Sequence, residues 1–196
     1  MTMAELINDI IDGAISAGRT YLMENESKAI LEELGISTTG SRVARSEEEA
    51  VEIFLSLASP VAMKVLSPEV VHKSDAGGVK LHLEGEDAVR QAYREMISAF
   101  QGRAVEGISV QRMAPPGIEA IVGVANDPTF GPVLMFGLGG VFVEVLKDVS
   151  FRSIPITLSD AQEMIEEIRG YTLLKGSRGH SADIEALEEL LMKISD

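Results

Sequence analysis

Cysteine and tryptophan are absent from the 196 residues, and aromatic side chains make up only 5% of them. No disulfide framework, thiolate nucleophile or cysteine-based metal site can therefore be built. The core must be assembled from Val, Ile, Leu, Met and Ala. Positive charge is scarce as well: 17 Lys and Arg stand against 31 Asp and Glu, a net charge of -14. Such a surface repels phosphate-rich polymers and anionic bilayers, yet one local cationic pocket for a single nucleotide remains compatible with it. No apolar run nears the roughly 20 residues that span a bilayer. The N-terminal stretch "MTMAELINDIIDGAISAGR" has neither the basic leader nor the long apolar centre of a secretory signal. A soluble, cytoplasmic protein is expected.

What is present is a folding chain of ordinary apolar content, 45%, long enough for one domain or two small lobes. Thr2 and Glu5 have capping-box spacing ahead of Leu6, Ile7, Ile10, Ile11, Ala14 and Ile15, which predicts a first helix. A second is expected near 24–34, ended by Gly35, and Ser46 with Glu49 marks the start of a third. "PVAMKVL" (60–66) and "GVKLHL" (78–83) read as strands. A helix carrying Val89, Ala92, Tyr93, Met96 and Phe100 follows, then a strand over 107–115 that stops at Pro115-Pro116-Gly117. Strand signals recur at 118–124, 132–136 and 141–146. Ser159 and Gln162 predict a helix cap, and a last amphipathic pattern runs from Ile184 to Ile194 without a stop signal. This order predicts an α/β protein made of two α+β lobes, residues 1–112 and 113–196, joined near residue 113.

Chemistry concentrates in "VAMKVLSPEVVHKSDAGGVK", residues 61–80. Lys64 sits in an otherwise apolar strand. Such an ammonium either points to solvent from the strand's polar side or reaches a cavity where it needs an anion. Gly77-Gly78 permits positive φ and close backbone approach, so that N–H groups can cradle phosphate oxygens; the plainer reading of "DAGG" is a hairpin turn. His72 is either an ordinary loop histidine or a nucleophile: a neutral imidazole at pH 7 has a ring nitrogen free to attack phosphorus, with the nearby cations stabilising the transferring group. No P-loop and no complete G-x-G-x-x-G fingerprint is present; position 142 of "GLGGVF" is Phe. Arg112, Lys147, Arg152, Lys175 and Arg178 are further cations that can face phosphate. Glu119 and Glu144 lie in apolar strands as ribose or metal contacts, or as a strand's polar face. His82 and His180 carry no assigned role.

Four stretches together resemble a known family: "YLMENESKAILEELGI", "VAMKVLSPEVVHKSDAGGVKL", "VQRMAPPGIEAIVGVANDPTFGPVLMFGLGGVFVEVLKDVSFR" and "YTLLKGSRG". They are similar to the β subunit of ADP-forming acyl-CoA synthetase, also called acetate–CoA ligase (ADP-forming), over nearly the whole chain from about residue 20. The resemblance implies an ATP-grasp fold, two α+β lobes that hold ATP or ADP between them with Mg²⁺. It implies that Lys64 contacts nucleotide phosphates and that Gly77 and Gly78 form the loop over them. Gln111, Arg112 and Met113 fall on the hinge that meets the adenine edge, and Glu119 on an expected ribose contact. His72 matches the histidine that carries phosphate between the acyl-CoA site and the nucleotide. The loop of the related succinyl-CoA synthetase β subunit lacks that histidine, so "HKSDAGGV" favours the acyl-CoA branch.

The implied activity is acyl-CoA + ADP + phosphate ⇌ carboxylate + CoA + ATP, shared with a CoA-binding α subunit or its fused equivalent in a hetero-oligomer. The family continues past the point where this sequence stops, through an "INP"-type strand and an acidic segment that supply the Mg²⁺ ligands. Either the chain is C-terminally truncated or its natural product is short; in both cases its own metal ligands are unknown, and turnover by it alone is not expected. Two other functions fit the same residues: another ATP-grasp carboxylate ligase that would not need His72, or a non-catalytic nucleotide- or partner-binding module.

Overall fold

The structure, a computed structural model, describes residues 2–70, 73, 76–140, 146–176 and 181–196. The chain divides into two compact units, Met1–Pro115 and Pro116–Asp196.

Unit 1 begins with α1 (Met3–Ser16) and α2 (Glu24–Glu33). Thr2 caps α1 with both arms of a capping box: its Oγ1 accepts from Glu5 N, and the Glu5 carboxylate accepts from Thr2 N. α2 ends at Gly35, whose φ of 72° is the left-handed conformation that a helix stop favours in glycine. Then come β1 (Arg42–Ala44), α3 (Glu47–Leu57), β2 (Val61–Leu66), β3 (Val79–Leu83), α4 (Glu86–Ala99) and β4 (Gly107–Arg112). The four strands form an antiparallel sheet in the order β1-β4-β2-β3. α3 and α4 cover one face. Val61, Met63, Val65, Ile108 and Val110 meet Ala50, Ile53, Val89, Ala92, Met96 and Phe100 there, all buried. The expected Ser46–Glu49 box has only one arm. Ser46 Oγ accepts from Glu49 N at 3.1 Å, but the Glu49 carboxylate turns back to the N–H of Arg45, one residue before the cap.

Unit 2 holds β5 (Ala120–Asp127), β6 (Gly131–Leu138) and β7 (Val149–Ser153) in an antiparallel sheet of that order. α5 (Leu158–Glu167), the single turn α6 (Tyr171–Leu174) and α7 (Ile184–Ser195) follow. Leu134, Phe136 and Leu138 alternate inward from β6 onto Ile156, Met164, Ile165, Leu174 and Leu191, as a half-buried strand should. The expected Ser159 cap is corrected to Thr157. Thr157 Oγ1 accepts from Asp160 N, and the Asp160 carboxylate accepts from both the N–H and the hydroxyl of Thr157. This three-bond exchange outcompetes the Ser159–Gln162 alternative two residues on. β1 and β7 have no counterpart among the expected strands, and residues 141–145 of the one expected at 141–146 lie outside the described residues. Among the described residues no helix is long and apolar enough to cross a membrane.

Candidate functional site

β2 is buried on both sides, and alternation decides what each side carries. Met63 and Val65 point to the α3–α4 core; Lys64 points to the other face. In the β2–β4 register Lys64 pairs with Ser109 and Ala62 with Gln111, so Lys64, Ser109 and Gln111 share that second face. It is a polar layer inside a sheet, and α2 lies against it.

The contacts come in a chain. Lys64 Nζ donates to Glu24 Oε1 at 2.6 Å. Lys28, one turn on from Glu24 along α2, stands 3.4 Å from the same oxygen. Lys28 Nζ also donates to Gln111 Oε1, to Thr39 Oγ1 at 2.8 Å and to the carbonyl of Gly40 at 3.3 Å. Ser41 and Ser109 hydroxyls meet at 2.7 Å beside them. The side chains are mostly withdrawn from water, at 26% exposed for Lys64, 15% for Lys28 and 24% for Glu24. Arg19 clamps Glu26 with two bonds of 2.6 and 2.7 Å, and Tyr21 Oη donates to the carbonyl of Pro68 at 2.6 Å. These two contacts fix the start of α2 against the segment that leaves β2.

The electrostatics are unbalanced toward cation. Burial pushes the Glu24 carboxyl up, but the hydrogen bond and charge of Lys64, helped by Lys28, outweigh it and hold the group below its usual range. Burial pushes the Lys28 ammonium down, and Glu24 offsets part of that effect. Lys73 is pushed down by burial too, held up by Glu24 and lowered again by Lys64. Among the described residues, three ammonium groups thus share the field of Glu24, to which Glu32 adds at Lys28, on a chain whose overall charge is -14. Partly desolvated cations in excess of their counter-charge form an anion site.

Gly78 adjoins this layer, its carbonyl accepting from Val65 N at 2.9 Å and its N–H donating to the Lys73 carbonyl at 2.7 Å. A Cβ there would come within 2.7 Å of the Phe100 ring, so the turn closes tightly on the core only with glycine. Gly77 has φ 74°, the left-handed conformation that glycine tolerates. Arg112 is exposed at the end of β4, and Met113, half-buried, donates its N–H to Pro60 O at 2.9 Å. Glu119 belongs to unit 2 and is exposed; its carbonyl accepts from Gly139 N at 2.7 Å. His72, the expected phosphate carrier, lies outside the described residues, as do Glu144, Arg178 and His180.

The structure thus joins Lys64, Gln111 and the glycine turn, and adds Glu24, Lys28 and Lys73, which the sequence reading did not single out. Other cations are committed elsewhere. Arg152 is held by Glu163 and Glu167, and Lys175 lies 4.5 Å over the Tyr171 ring. A cavity of about 910 Å³ in unit 2 is lined by Ile118, Leu174, Ala186, Leu187 and Leu190 among others, and by no cation among the described residues. Among the described residues no three His, Asp or Glu side chains gather as a metal site.

Two antiparallel α+β units, one with a lysine-bearing strand beside a glycine turn, define the ATP-grasp class, and the model of the ATP-grasp domain matches residues 13–196. The chain is 46% identical over 193 residues to the acetate–CoA ligase (ADP-forming) I β subunit of Pyrococcus furiosus, covering 96% of this chain and 83% of that one. It is 45% identical to acetate–CoA ligase (ADP-forming) I of Archaeoglobus fulgidus over 97% of this chain, but spans only 28% of that longer protein. Among solved structures, the dinucleotide-forming acetyl-CoA synthetase 1 of Ca. Korarchaeum cryptofilum, in complex with CoA, Ca-AMPCP and HgCl⁺, superposes with a TM-score of 0.92 at 48% identity, over 95% of this chain and 84% of that one. The same enzyme is known with a phosphorylated phosphohistidine segment in a site I orientation (TM-score 0.86) and, with Mg-AMPPCP, with that segment pointing towards the nucleotide-binding site (TM-score 0.85). The chain belongs to the ATP-grasp family of ADP-forming acetate–CoA ligase β subunits.

Proposed function

We propose that this chain is the nucleotide-binding part of an ADP-forming acyl-CoA synthetase, working with a CoA-binding subunit or its fused equivalent in the cytoplasm. The observation that carries the reading is the pairing of Lys28 and Lys64 with Glu24 on the second face of the unit 1 sheet, with Lys73 of the following loop in the same field. Residues 1–112 serve as the lobe that seats the phosphates of Mg·ADP, through Lys64 and the turn at Gly77 and Gly78. Gln111, Arg112 and Met113 serve the adenine edge. Residues 113–196 serve as the second lobe, with Glu119 directed to ribose.

The reaction runs in three balanced transfers. Inorganic phosphate displaces CoA from the acyl group, giving an acyl phosphate. The imidazole of His72 receives that phosphoryl group, by way of the partner, and the carboxylate leaves. The terminal phosphate oxygen of ADP then attacks the phosphohistidine, forming ATP and restoring the imidazole. Cations beside the transferring group lower the cost of its charge. The solved relative with a phosphohistidine segment in two orientations supports a carrier that visits two sites.

The test is to combine the chain with the CoA-binding subunit, acetyl-CoA, Mg·ADP and radiolabelled phosphate. We expect acid-labile label on this chain and labelled ATP, both abolished by His72→Ala. Labelled ATP formed at the wild-type rate by His72→Ala would refute the carrier and favour a ligase that transfers phosphate without a histidine.

A further inference from the structure

α1 carries more apolar surface than its own unit covers. Ile7, Ile10 and Ala14 recur at helical spacing along one line, which turns inward: Ala14 is buried, and Ile7 and Ile10 are half-buried with Leu6 beside them. A second apolar line, Met3, Ile11 and Ile15, remains in solvent at 48%, 38% and 64% exposure. The rest of the helix is acidic, with Glu5, Asp9 and Asp12 and not one lysine or arginine between Met3 and Ser16. Most of α1 also precedes residue 13, where the ATP-grasp match begins. It is secured at its start by a complete capping box.

We infer that the Met3–Ile11–Ile15 line of α1 is the surface by which this chain grips its CoA-binding partner subunit, entering an apolar groove flanked by lysine or arginine side chains. The identity of that partner rests on the function proposed above. Charge selects among occupants. A second copy would set three carboxylates against three, on chains of net charge -14 each, and like charges across an interface are repelled. An anionic bilayer is repelled in the same way, and surface-lying membrane helices carry the lysines and arginines that this one lacks. A groove with a cationic rim accommodates both features at once, taking the isoleucines at its floor and Asp9 and Asp12 at its edges, the helix-in-groove mode of recognition.

The test is sedimentation velocity of the full chain mixed with the CoA-binding subunit, using wild type, Ile11→Glu/Ile15→Glu and Asp9→Lys/Asp12→Lys. We expect the isoleucine pair to weaken association at least tenfold. The charge-reversed pair should weaken it by a smaller factor and flatten its dependence on salt. Both variants should melt and bind ADP as the wild type does. Because Asp9 and Asp12 face solvent, the second variant still decides the matter should the first fail to fold. Association within twofold of wild type for both variants overturns the inference while leaving the proposed function standing. A wild-type chain that dimerises by itself, and is made monomeric by Ile11→Glu/Ile15→Glu, overturns it in favour of a second copy. No association of the wild-type chain with the CoA-binding subunit overturns the proposed function and the inference with it.

Discussion

The sheets of the two units are alike in build and opposite in what they bury. In unit 2, β6 turns Leu134, Phe136 and Leu138 into a core of aliphatic and aromatic side chains, each no more than 1% exposed. The polar Ser150 among them is satisfied by donating to the Met164 carbonyl at 2.8 Å. In unit 1, the α3–α4 face is just as apolar, but the opposite face receives Lys64, Ser109 and Gln111 with Glu24 and Lys28 laid over them. A sheet needs one apolar face to fold; a second buried face made of ammonium groups works against stability, because desolvated charge is costly unless paired. Among the described residues, Lys28, Lys64 and Lys73 outnumber the carboxylates that act on them, Glu24 and, at Lys28, Glu32. The difference separates a face built for packing from one that carries buried charge, the face we propose as the anion seat.

The largest effect that can break this contrast is in the apolar core. Phe136→Ala removes a fully buried ring and should cost about 3–5 kcal/mol, read as a fall in the denaturation midpoint that ADP does not restore. Glu24→Gln should cost about 1–2 kcal/mol, since it leaves Lys28 and Lys64 facing each other without their shared anion. Here the contrast is sharpened by rescue: tripolyphosphate should raise the melting temperature of Glu24→Gln more than that of the wild type. Equal shifts would mean that the lysines do not form one anion site.

Acid should act mainly through carboxylates held by cations. Glu24 lies below its ordinary 4.5, so the stability it contributes is complete above that value and fades as pH falls through the lowered pKa. Glu47, held by Arg94 and Arg90, is lowered to about 2, and its contribution is lost between pH 4.5 and about 2. Glu24→Gln and Glu47→Gln should each make the acid limb of a stability–pH curve shallower. The smallest effect is alkaline. Burial keeps Lys28 and Lys73 below their ordinary 10.5, so the folded chain sheds those protons first. Stability then rises with pH toward 10.5, while affinity for tripolyphosphate begins to fall before pH 10.5 is reached.

Much of the scaffold was legible because periodicity is written in adjacent residues. The 3.6-residue pattern of Val89, Ala92, Met96 and Phe100 gave α4, and "VAMKVL" gave β2 to within one residue. β1, three residues long, is too short to show a period of two. β7 reads "VSFRS"; its inward positions are Ser150 and Arg152, polar residues whose partners, the Met164 carbonyl and Glu167, come from α5. Lys64 stood out as a cation in an apolar strand, pointing either to solvent or to an anion. The sequence could not say that the anion is Glu24, 40 residues earlier, because Glu24 and Lys28 look like an ordinary i,i+4 pair on a helix surface. Register and packing, not local pattern, bring them under the sheet.

The most direct measurement is calorimetric titration of Mg·ADP into the wild type, Lys64→Met, Lys28→Met and, as the control from unit 2, Arg152→Met. If the second face of the unit 1 sheet seats the nucleotide phosphates, Lys64→Met should weaken binding at least tenfold, about 1.4 kcal/mol or more. Lys28→Met should weaken it by a smaller factor, and Arg152→Met should leave it unchanged. Wild-type affinity in Lys64→Met, or a loss in Arg152→Met as large as in Lys64→Met, would contradict that assignment.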